Sequence, residues 1–162
     1  MTMITQTRLR EVLEYDPETG IFTWKVTLSN SVPAASRAGT LHPNGYVYIH
    51  IDRRGYLAHR LAWLYITGSW PQDQLDHING VKNDNRWVNL READNRLNLE
   101  NQRKAHRNNK LGVLGVTPSQ GKFRAVIRHL GHLRHLGYFA TRELAHTAYL
   151  KAKRGLHAGN TL

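Results

Sequence analysis

The chain has 162 residues and a mass of 18.6 kDa, enough for one compact domain or two small ones. With no Cys, it can form no disulfide, Cys-ligated zinc site, iron–sulfur cluster or thiol nucleophile. Lys and Arg number 23 against 12 Asp and Glu, a net charge of +11 with a pI near 10.3, which points to a polyanionic partner.

In chain order, the apolar positions Leu9, Val12 and Leu13 predict a short amphipathic helix over residues 7–15. Asp16-Pro17-Glu18-Thr19-Gly20 reads as a turn, and residues 21–26 as a strand. The small and polar residues 29–45 predict a loop. Residues 46–51 and 56–60 flank Asp52-Arg53-Arg54-Gly55 as a hairpin, which places His59 and Arg60 at the end of a strand. Leu61 to Thr67 follows as a helix stopped by Gly68 and Pro71. Its apolar run is far short of the roughly 20 residues that a membrane span needs. The opening MTMITQTRLREVLEYD has no apolar secretory core, so a cytoplasmic location is expected.

Residues 74–107 read as strand, polar loop, strand and helix, and 108–112 as a joint. Beyond it, Gly115-Val116, Lys122 to Arg128 and Leu133 to Leu136 predict three short strands. Thr141 caps a final helix that repeats Leu144, Ala145, Ala148, Tyr149 and Ala152 at helical spacing. Charge divides unevenly along this order. Residues 1–99 carry 11 Lys and Arg against 10 Asp and Glu, whereas residues 100–162 carry 12 against 2. Nucleic acid is the favoured partner of the basic part; an acidic membrane or protein surface is the alternative.

The densest polar cluster outside the basic part is DHINGVKNDNRWVNLR at 76–91. Turn geometry accounts for Asn79-Gly80 and for Asn83 to Asn85. It does not account for an Asp-His pair at a strand end with Asn89 at +12 and Asn98 at +21 from His77. With AHRLAWLYITGSWP before it, and YDPETGIFTW at 15–24, this run resembles the HNH endonucleases of phages and mobile introns. The resemblance implies a ββα-metal unit at about 74–107, a hairpin of 75–78 and 88–93 packed on a helix of about 94–107. It implies His77 as the base that activates water, a role suited to an imidazole titrating near neutrality. Asp76 and Asn98 would hold one divalent ion, Mg²⁺ or Mn²⁺, since their oxygens are hard donors. Asn89 would brace the loop and orient His77. Asp84 reads better as a loop-shaping carboxylate than as a second ligand, and Asn101 is a further ligand candidate. His129, His132 and His135 straddle a turn, which argues against one shared metal point.

From Gly112 onward, Gly115-Val116, Gly121-Lys122-Phe123, Ala125, Ile127-Arg128, Leu136-Gly137-Tyr138-Phe139, Thr141, Glu143 and the Ala145/Ala148/Tyr149 helix resemble the AP2/ERF DNA-binding domain. The implied fold is a three-stranded antiparallel sheet backed by one helix, with the sheet face in the DNA major groove. Period-two alternation independently turns Ala125 and Ile127 to one side and Arg124, Val126 and Arg128 to the other. Arg124 and Arg128 are the leading groove residues, with Lys122, Arg134 and His135 behind them. Arg103, Lys104, Arg107 and Lys110 would track the phosphate backbone. Leu114, Thr117 and Gln120 depart from the family's usual Arg or Trp, so base preference does not carry over.

The sequence therefore predicts an α+β chain: an HNH nuclease domain over 1–107, including an N-terminal β-hairpin region, and an AP2-like domain over 113–162. The expected activity is metal-dependent cleavage of double-stranded DNA by a phage-type homing or nicking enzyme, as a monomer or homodimer. The alternatives are a non-catalytic DNA-binding protein on an HNH scaffold and a nonspecific nuclease of the toxin type.

Overall fold

The computed structural model describes residues 3–102, 105 and 108–157. It divides into two compact units, residues 1–93 and 94–162, whereas composition placed the joint at 108–112. Moving the boundary leaves the charge division intact: the first unit carries +1 and the second +10. The mixed α/β build with several small antiparallel sheets agrees with the expected class.

In the first unit, α1 (Gln6–Val12) starts at Thr5, whose hydroxyl accepts from the Arg8 amide at 3.2 Å. The helix stops short of the expected Tyr15 because the period changes at Leu13. Leu13 and Tyr15 are buried while Glu14 and Asp16 are exposed, the alternation of a strand. Strand β1 (Leu13–Asp16) pairs antiparallel with β2 (Ile21–Trp24), setting Leu13 opposite Trp24 and Tyr15 opposite Phe22. The expected loop holds a two-residue strand, β3 (Thr40–Leu41), on the edge of β4 (Val47–Ile51) and β5 (Arg54–Leu57). Asp52 and Arg53 both adopt positive φ in the turn between β4 and β5, as a two-residue hairpin with the right-handed strand twist requires.

Helix α2 (Ala58–Thr67) begins three residues earlier than the apolar run indicated, so His59 and Arg60 lie in its first turn and not at a strand end. Its inner face buries Ala58, His59, Leu61, Ala62 and Leu64. Ala58, Leu61, Ala62 and Leu64 join Leu9, Phe22, Ile49 and Ile51 in one core. Strand β6 (Gln74–His77) and β7 (Leu90–Ala93) form the last hairpin, with a short 3-10 turn at Trp87–Asn89 entering β7.

The second unit opens with α3 (Asn95–Glu100), capped by the Asp94 carboxylate accepting from the Leu97 amide at 2.8 Å. The helix was expected to run to Arg107. It ends at Glu100, because the chain leaves helical geometry after the Asn101 cap. Strands β8 (Val116–Ser119), β9 (Lys122–His129) and β10 (His132–Phe139) form an antiparallel meander. They are joined by two-residue turns at Gln120-Gly121 and Leu130-Gly131, again with positive φ at both positions. Helix α4 (Arg142–Leu156) starts at Thr141, whose hydroxyl accepts from the Leu144 amide, and crosses this sheet. Val116, Ala125 and Ala145 make the centre of the core between them, flanked by Phe123, Leu136 and Phe139. A β-carbon on Gly115 would lie 1.9 Å from the Tyr149 ring, so only a glycine lets the helix seat this closely.

Candidate functional site

The β6–β7 register sets Asp76 opposite Arg91 and His77 opposite Leu90. Because consecutive strand positions point to opposite faces, the pair diverges. Asp76 Oδ2 accepts from Arg91 Nη2 at 2.9 Å and Nε at 3.2 Å. His77 turns inward, only 4% exposed, and its Nε2 lies 3.1 Å from Asn85 Oδ1. A carbonyl oxygen only accepts, so Nε2 holds the ring proton and Nδ1 carries the lone pair. Burial lowers the His77 pKa, opposed by the Asn85 hydrogen bond and the negative charges of Asp76 and Asp84. At neutral pH the ring is therefore an uncharged proton acceptor.

The loop between the strands is tied at both ends. Asn89 Oδ1 accepts from the Asn79 amide at 2.9 Å, and Asn89 Nδ2 donates to the Asp84 carbonyl at 2.7 Å. Asp84 accepts from Asn79 Nδ2 at 2.6 Å and from the Arg86 guanidinium at 2.6 and 2.8 Å. Mainly through the hydrogen bond from Arg86, its pKa is held near 2. Asp84 is thus a permanent anion that shapes the loop.

Asn85, the partner of the His77 ring, is fixed from a distance. Its backbone carbonyl accepts from the Tyr15 hydroxyl at 2.7 Å, and the Trp87 amide donates to the Pro17 carbonyl at 3.0 Å. Gly20, at φ +72°, lies so close that an added β-carbon would sit 2.4 Å from both Arg86 N and Asn85 C. The turn at 16–20 thus forms a seat for the loop. His59 completes the surroundings, its ring edge-on to His77 at 5.0 Å, with Tyr46 beside both. Burial, then the His77 and Arg60 charges, push the His59 pKa down to about 3, so it adds no positive charge beside His77. In the sequence Asn85 reads as turn geometry and Gly20 as part of a turn. Gly20 meets the loop some 65 positions along the chain, and the Tyr15 bond that holds Asn85 spans 70, so neither placement carries a local signal.

Of the other expected residues, Asn98 lies in α3 of the second unit, and its side chain is outside the described residues. Arg103, Lys104 and Arg107 also lie outside the described residues, and Lys110 is exposed. On the sheet of the second unit, Arg124 is paired with Thr117 and Tyr138, Val126 with His135, and Arg128 with Leu133. Paired residues share a face. Lys122, Arg124 and Arg128 therefore follow one another on the face turned away from Ala125, Ile127 and α4. Arg134 is opposite Ile127 and belongs to the helix-side face, so it does not join the other three. The Arg128 guanidinium donates to the Gly131 carbonyl at 3.1 Å.

Residues 56–99 match the family model described as HNH endonuclease, which supports reading this segment as part of an HNH nuclease. No curated protein and no solved structure gives a significant match to the chain. Among the described residues, no helix is long and apolar enough to cross a membrane.

Proposed function

We propose that the chain is a metal-dependent endonuclease of the phage homing or nicking kind. In this reading the first unit hydrolyses a DNA phosphodiester and the AP2-like second unit holds the duplex. The observation that carries the catalytic half is the buried His77 imidazole, hydrogen-bonded at Nε2 to Asn85 and kept neutral by burial. Its lone-pair nitrogen takes a proton from water as the water oxygen bonds to phosphorus and the bond to the 3′-oxygen breaks. The anions Asp76 and Asp84 favour the imidazolium that forms, and Asn85 prevents the ring from turning as its charge changes. Asn89 acts indirectly, through the loop that carries Asn85.

Asp76 fits a hard divalent cation, Mg²⁺ or Mn²⁺. Its carboxylate is a hard anionic oxygen donor, and it accepts from Arg91 at Oδ2. Asn98 is the second proposed donor, and a bound ion would supply positive charge for the phosphate and the departing oxygen. For the DNA-holding half, support comes from the +10 charge of the second unit and from Lys122, Arg124 and Arg128 sharing the face away from α4. Arg103, Lys104, Arg107 and Lys110 extend the expected phosphate contacts.

The test is incubation with supercoiled DNA in Mg²⁺ or Mn²⁺, beside His77→Ala and an EDTA control. Metal-dependent conversion to a discrete nicked or linear product, lost in His77→Ala, is expected. Unchanged activity in His77→Ala would overturn the base assignment, and cleavage at every position would favour a nonspecific nuclease.

A further inference from the structure

Among the described residues, the second unit gathers three metal-competent side chains that the cleavage chemistry does not use. Donor atoms of Glu100, His129 and His157 all lie within 4.8 Å of one another. They come from the last residue of α3, the last residue of β9 and the residue that caps α4. The sequence drew attention to His129 with His132 and His135. The fold instead sends His135 to the opposite face, against Tyr138 at 4.7 Å, and sets His129 beside His157 with their rings stacked 6.2 Å apart.

Two independent features make this more than a coincidence of residue types. First, His157 Nε2 lies 2.7 Å from the Arg128 carbonyl. That oxygen can only accept, so Nε2 is protonated and Nδ1 carries the lone pair, the arrangement by which an outer hydrogen bond orients a metal-binding imidazole. Second, the Nδ1 atoms of His129 and His157 are buried with no hydrogen-bond partner among the described residues. A polar atom withdrawn from water and left unpaired is costly, and a cation bonded to both would remove that cost. Glu100, 5% exposed, contributes a buried carboxylate oxygen to the same cluster.

We propose that Glu100, His129 and His157 form a zinc-class cation site that ties together the ends of α3, β9 and α4. Two imidazoles and one carboxylate suit Zn²⁺ far better than Mg²⁺, which favours all-oxygen shells. A tetrahedral ion with bonds of roughly 2.0–2.1 Å keeps its donors about 3.4 Å apart, so the cluster closes by at most about 1.4 Å, within reach of side-chain rotation. The fourth position remains for water. The site is distinct from the proposed Mg²⁺ or Mn²⁺ position at Asp76, and its existence does not depend on DNA cleavage.

The experiment titrates full-length protein with Zn²⁺ in excess Mg²⁺ and measures bound zinc by elemental analysis. One equivalent per chain is expected, retained in Asp76→Asn. His129→Ala and His157→Ala each lower zinc affinity by more than the roughly 10–100-fold that loss of an outer-shell partner costs. Absence of binding to wild type, or wild-type affinity in both His variants, would overturn the proposal. X-ray absorption at the zinc edge of wild-type protein provides a check that needs no variant. Two imidazoles in the first shell are expected, and a shell with none would overturn the site.

Discussion

Gly20→Ala isolates the contact between the 16–20 turn and the loop that positions His77. Two costs arise. A non-glycine residue at φ +72° loses about 1–2 kcal/mol from the left-handed backbone. The new β-carbon, 2.4 Å from Arg86 N and Asn85 C, must also push the loop back by about 1 Å, which overpacking data place at roughly 1–3 kcal/mol. The control is Gly68→Ala in the same unit. There φ is +82°, but the nearest atom, Gln6 Oε1, lies at an ordinary 3.4 Å, so only the backbone cost applies. Urea unfolding followed by tryptophan fluorescence reads the first unit alone, since Trp24, Trp63, Trp70 and Trp87 all lie within it. Gly20→Ala is expected to lose about 1–3 kcal/mol more than Gly68→Ala. Because the displaced segment includes Asn85, cleavage should fall about 100-fold in protein that remains folded, the scale of a 1 Å misplacement. Equal stability in the two variants, with wild-type cleavage in Gly20→Ala, would refute the proposed seat.

Four further outcomes follow from the structure. Asn85→Ala removes the acceptor for His77 Nε2 and should lower the cleavage rate by roughly 10–100-fold; Asn85→Asp restores the acceptor and, by adding a negative charge, should move the acid limb of the pH–rate profile upward. In wild type that limb should lie below pH 6.5, because burial lowers the His77 pKa and the neutral ring is the active form; a limb above 6.5 would contradict this. His59, with its folded pKa near 3, contributes stability that is present above the unfolded value of about 6.5 and lost as pH falls toward 3. About 2 kcal/mol should be lost by pH 5, and His59→Phe should flatten the tryptophan-detected dependence. Duplex binding that neutralises six phosphates should show a log–log salt slope near −5, with Lys110→Ala reducing its steepness by about one. Fluorescence anisotropy against salt measures it, and a slope shallower than about −2 would remove the sheet-face model.

Features encoded in neighbouring residues were readable before the fold was known. The Thr141 cap, the alternation along β9 and the hairpin around Asp52-Arg53 each depend on a few adjacent positions. Where two periods overlap, reading failed: Leu13 fits both the helix before it and the strand it begins, and α2 starts at Ala58, before its apolar run. The Asp76, His77 and Asn89 spacing was legible because those residues lie on one hairpin. Asn85 was not, since the contacts that hold it against His77 come from Tyr15 on β1 and from Gly20, far back in the chain. The pairing of His129 with His157 likewise depends on where α4 ends. Arg134 shows the same limit, as its face is decided by the register from the Leu130-Gly131 turn.

The proposed division of labour between a near-neutral unit that cuts and a +10 unit that holds is tested most directly by the single-turnover cleavage rate as a function of protein concentration. For His77→Ala the plateau rate should fall by at least about 100-fold, the lower bound for losing a general base, while the half-saturating concentration stays at its wild-type value. For the Arg124→Ala/Arg128→Ala double variant the half-saturating concentration should rise and the plateau remain. A wild-type plateau in His77→Ala, or a collapsed plateau with unchanged half-saturation in the double arginine variant, would contradict the account.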